Sequence, residues 1–104
     1  MPLFCFLRRK LMINEKIILS DCEYDSFYHS MKLVEELGGK IIAKVDGFGT
    51  LYWDVLFLGT IITFCYNIYE GISMYLESEK YTSSKDITNV NILFEKLKSA
   101  HQLQ

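Results

Sequence analysis

At 104 residues, half of them hydrophobic, the chain is sized for a single domain that buries about two thirds of its unfolded surface, which excludes disorder throughout. Its 13 acidic and 11 basic residues leave a net charge of -2, and this excludes the basic field that draws proteins to nucleic acid. Cys5, Cys22 and Cys65 are an odd number without paired spacing, so no disulfide framework is expected and a reducing cytoplasm is the simpler setting.

The first residues carry a short apolar run, Leu3-Phe4-Cys5-Phe6-Leu7, ahead of Arg8-Arg9-Lys10. A secretory signal has its charges first and a longer apolar core, so none is read here. Met12 stands just before the first periodic segment, which leaves two readings of residues 1–11: a disordered extension, or part of the natural protein. The single domain is assigned to residues 12–104.

Lys16-Ile17-Ile18-Leu19 reads as a short strand, and Ser20-Asp21-Cys22-Glu23 as a capping box opening a helix. Phe27, Met31 and Val34 fall on one stripe of that helix, with Ser30, Leu33 and Leu37 beside it, and Gly38-Gly39 ends it. Lys40 to Asp46 alternates, with Ile41, Ala43 and Val45 on one side and Ile42, Lys44 and Asp46 on the other. Asp46-Gly47-Phe48-Gly49-Thr50 is a hairpin loop.

The chain is organised around Leu51 to Leu76. Its uncharged run, Val55 to Tyr69, is shorter than the roughly 18 to 20 residues of a membrane helix. Thr60-Ile61-Ile62-Thr63-Phe64-Cys65-Tyr66 is β-branched and aromatic, and Leu58-Gly59-Thr60 and Glu70-Gly71 interrupt the stretch at strand-like intervals, predicting three consecutive antiparallel strands. Alternation turns Trp53, Val55 and Phe57 inward, then Ile62, Phe64, Tyr66 and Ile68, then Ile72, Met74 and Leu76. Ser78 to Lys85 is a polar loop, Asp86 caps a closing helix with Val90, Leu93, Phe94 and Leu97 on one side, and Ala100 to Gln104 frays. The expected architecture is α+β in two layers: an antiparallel four- to five-stranded meander sheet with two helices packed on one face, in the order β-α-β-β-β-β-α.

Chemistry has little to build on. Cys22 and His29 share a side of the first helix, but no CxxC or HxxxH completes a metal site, and neither histidine is placed to activate Cys65. A strand follows Gly47-Phe48-Gly49 directly, so this is a turn rather than a phosphate-cradling loop. Asp46, Asp54, Glu70 and Glu77 read as solvated edge charges rather than an acid/base pair. No enzyme, metal or cofactor is expected. The candidate binding surface is the sheet face left open by the helices, with Asp46, Asp54, Asn67, Tyr69, Tyr75 and Glu77 offered to a basic protein partner. The alternative is that these tyrosines merely cover a half-exposed sheet.

The run Leu51-Tyr52-Trp53-Asp54, then Leu58-Gly59, then Tyr66-Asn67-Ile68-Tyr69-Glu70-Gly71-Ile72-Ser73 resembles a pattern in small bacterial proteins, among them immunity proteins of contact-dependent growth inhibition systems. The similarity covers about Met12 to Leu76 and consists of strand and turn signatures. The resemblance implies a cytoplasmic antidote that binds the C-terminal toxin domain of a large exported protein, often a nuclease acting on RNA, and blocks its active site. No nucleic-acid or membrane partner is expected, given the acidic balance and the short uncharged run. Four meandering strands followed by a helix also resemble the Whirly fold, which would imply a single-stranded nucleic-acid-binding module; the acidic balance counts against that alternative.

Overall fold

The computed structural model describes residues 12–20, 23–47, 49–77 and 83–102. Residues 1–11, 21–22, 48, 78–82 and 103–104 lie outside the described residues; of the loop expected from Ser78 to Lys85, Ser84 and Lys85 instead belong to the closing helix. The elements run β1 (Met12–Leu19), α1 (Tyr24–Glu36), β2 (Lys40–Gly47), β3 (Thr50–Phe57), β4 (Thr60–Asn67), β5 (Gly71–Glu77) and α2 (Ser84–Gln102). They form the expected β-α-β-β-β-β-α fold, with one five-stranded antiparallel sheet ordered β1-β5-β4-β3-β2. β2 to β5 are a meander, and β1 returns to pair outside β5.

Alternation in β3, β4 and β5 holds. Leu51, Trp53, Val55, Phe57, Ile62, Phe64, Tyr66, Ile72, Met74 and Leu76 form one buried cluster with Phe27, Met31 and Val34 of α1 and Val90, Leu93 and Leu97 of α2. Both helices therefore cover the same face, where each fully buried large apolar side chain contributes about 1.5–3 kcal/mol. Ile68 leaves this pattern, because β4 ends at Asn67 and Ile68 sits exposed in the following turn.

Helix boundaries show which local signals act. α1 ends in a Schellman motif: Gly38, at φ +104°, donates its N–H to the Glu35 carbonyl at 3.2 Å, and Gly39 donates to the Val34 carbonyl at 2.9 Å. At its start the expected Ser20–Glu23 box does not form. Glu23 is itself the N-cap residue, not the third helical residue that a box headed by Ser20 needs, and it makes no side-chain capping bond. The working box lies at α2. The Asp86 N–H donates to Ser83 Oγ at 3.4 Å, and the Ser83 N–H donates to Asp86 Oδ2 at 3.1 Å. Asp86 is thus the inner member of a box headed by Ser83 rather than the cap itself. Thr60 Oγ1 also donates to Asp86 Oδ1 at 2.7 Å and accepts from Asn89 Nδ2 at 2.8 Å, tying the start of α2 to β4. The Thr60 bond, with smaller help from Ser83, holds the Asp86 carboxyl below its usual range. α2 continues through Gln102 instead of fraying from Ala100.

One irregularity changes a face assignment. In β2, Ile41 stands opposite Val55 and Ala43 opposite Asp54, so Ile42 is the extra residue of a β-bulge. Beyond it the alternation is reversed. Lys44 and Asp46, opposite Trp53 and Leu51, lie on the helix-covered side, and Ala43 and Val45, opposite Asp54 and Tyr52, lie on the reverse.

Candidate functional site

The six residues predicted from sequence divide into two groups. Asp46, Asn67 and Tyr69 lie at the end of the sheet where the β2–β3 and β4–β5 hairpin tips emerge together, because Thr50 pairs with Asn67. The tips are joined by the Ile68 N–H, which donates to the Gly49 carbonyl at 3.2 Å. Asn67 is buried, and its Oδ1 accepts the Tyr69 N–H at 2.8 Å, an Asx turn that shapes the second tip from within. That turn carries Ile68 and Tyr69 outward, to 54% and 70% exposure. Asp46 is also exposed, and its Oδ1 accepts the Trp53 Nε1 proton at 3.2 Å.

The first turns of α1 complete this end. The Tyr24 ring stands 4.9 Å from that of Tyr66, and the Tyr28 ring lies 5.5 Å from Trp53 at 67°. Both tyrosines remain substantially exposed. An open cleft lined by Glu23, Tyr24, Asp25, Tyr66 and Ile68 separates the helix start from the hairpin tip. Sequence reasoning assigned Tyr24 and Tyr28 no role. The available signal was their spacing of one helical turn, beside the buried stripe of Phe27 and Met31.

Asp54, Tyr75 and Glu77 form the second group, on the reverse face, and here the expectation of an open surface is corrected. Tyr75 is 0% exposed and Glu77 8%, while Tyr52, Cys65 and Tyr75 form a second buried cluster. Thr63 Oγ1 donates to Asp54 Oδ1 at 2.6 Å and lies 3.5 Å from Glu77 Oε1, so the carboxylates of β3 and β5 share one hydroxyl on β4 between them. Alternation tells which way a strand residue points, and nothing about what lies over it.

A third cluster lies where the end of α2 meets α1. His29 and His101 have ring centroids 6.3 Å apart, and His101 Nε2 is 3.2 Å from Ser30 Oγ. Burial, and secondarily the charge of His29, push the His101 pKa below its usual value. Among the described residues no three His, Cys, Asp or Glu side chains are grouped to hold a metal ion, and no helix is long and apolar enough to cross a membrane.

Fold and surface together define a two-layer α+β domain bearing an aromatic, acid-flanked end built from two hairpin tips and a helix start. No protein-family model, curated protein or solved structure matches the chain.

Proposed function

We propose that the chain is an immunity protein, a cytoplasmic binding protein and not an enzyme, which covers the active site of a cognate nuclease toxin domain. The observation that carries this reading is the exposed set Tyr24, Tyr28, Ile68 and Tyr69 beside the exposed carboxylates of Glu23 and Asp25, with Asp46 at its border. Tyrosine offers a large rigid ring with a polar tip, the type of side chain that anchors protein interfaces. Carboxylates around the rings suit a nuclease, which must present basic groups to phosphate, and they speed encounter by electrostatic steering. The resemblance of Leu51 to Ser73 to immunity proteins supports the same class of partner. Asp54, Tyr75 and Glu77 drop out of the contact set because they are buried or half-buried, and Asn67 acts by holding the turn.

The test is to co-express the protein with the toxin domain encoded immediately upstream and score growth. Wild type should protect. Tyr69→Ala and Tyr24→Ala should each weaken binding by about 2 kcal/mol if they are anchors, with unchanged melting. A wild-type protein that does not protect removes the proposal. Salt-sensitive submicromolar binding to single-stranded RNA would replace it with the nucleic-acid reading.

A further inference from the structure

β2 forms one edge of the sheet, and all its residues except Ile41 are exposed, Val45 to 51%. An open edge strand is a template for pairing with another strand. Successive residues of such an edge alternate between bonding inward and turning their N–H and C=O groups outward. Gly47 stands opposite Thr50 with two positions between them, so the tip pair bonds inward, and Val45 and Ala43 with it. Lys44 and Asp46 then present their backbone groups to the open side.

We propose that a second copy of this chain occupies this edge, antiparallel, about a two-fold axis at Val45. The bulge at Ile42 leaves Ala43 to Gly47 as the regular part of the edge. Within it, outward groups meet outward groups only when the axis falls at Lys44, Val45 or Asp46. An axis at Lys44 or Asp46 sets a charge against its own copy, which is repulsive. The axis at Val45 uses all five residues, packs Val45 on Val45, and sets Lys44 opposite Asp46 of the second copy twice. Both charges sit on the helix-covered side and are already held in place, Lys44 Nζ 4.3 Å from the Trp53 ring centroid and Asp46 by the Trp53 Nε1 bond. The two five-stranded sheets join into one, with the helices of both copies on the same side.

Sedimentation from low micromolar to near-millimolar concentration tests this. Wild type should pass from one chain to two as concentration rises. Lys44→Glu and Asp46→Lys should each raise the dissociation constant by about tenfold or more, because each sets like charges across the axis. The double exchange, Lys44→Glu with Asp46→Lys, should restore association. Val45→Asp should leave a folded monomer, checked by its far-ultraviolet spectrum. Wild type that stays monomeric throughout, single variants that associate as wild type does, or a double exchange as weak as the singles would each overturn the proposal.

Discussion

On the helix-covered face of the sheet, residues such as Phe64, Ile62 and Met74 meet α1 and α2 with few polar atoms among them, whereas on the reverse face Tyr52, Cys65 and Tyr75 share their burial with Thr63, Asp54 and Glu77. Both buried clusters exclude water, but they are vulnerable to different changes. The first depends on volume and apolar area, so it should respond to every deleted methylene. The second depends also on each polar group having its partner, so it should respond to changes that keep volume and remove a single hydroxyl.

The largest effect tests whether the reverse face is core at all. Phe64→Ala and Tyr75→Ala, both at fully buried positions, should each destabilise by about 3–5 kcal/mol in urea unfolding. A Tyr75→Ala cost below about 1 kcal/mol would make the reverse face a covered surface instead of a second core. Thr63→Val keeps the shape and removes the 2.6 Å bond to Asp54, and should cost about 1–3 kcal/mol. A neutral result would mean that the hydroxyl contributes nothing net to this face.

Smaller effects belong to the helical layer. Asp86→Ala deletes one member of the capping box and the Thr60 link, and should cost about 1 kcal/mol, seen as faster amide exchange in the first turn of α2. The smallest expected effect is on pH. His101 has a folded-state pKa below its ordinary value of 6.5, so the fold favours its neutral form. Its contribution is complete above about pH 6.5 and is lost as pH falls through the lower folded-state value. Melting midpoints followed downward from pH 7.5 should therefore decline, and His101→Gln should flatten that decline. An unchanged slope would locate the acid sensitivity elsewhere.

What could be read in advance follows the range of each interaction. The inward set of β3 to β5 was legible because period-two alternation is a nearest-neighbour property, and α1 and α2 because their stripes repeat within a few residues. The face of Asp46 was not, since Ile41-Ile42 carries no mark of a bulge and one extra residue reverses all that follows. Ser20–Glu23 and Ser83–Asp86 have the same spacing, yet only the second forms, because Ser83 directly precedes its helix whereas α1 begins four residues beyond Ser20. The grouping of Tyr24, Tyr28, Ile68 and Tyr69 depends on strand register and helix docking, which link positions more than forty residues apart.

The bulge also bears on how the chain could change its length. Ile42 lies between two residues that already face adjacent partners on β3, so a chain lacking it would keep Lys44, Val45 and Asp46 on their present sides while its edge became regular. Ile42 therefore marks a position where descent can add or delete one codon without re-threading the sheet. A relative one residue shorter here would have a longer straight edge, and with it a wider choice of registers in which to meet its neighbours.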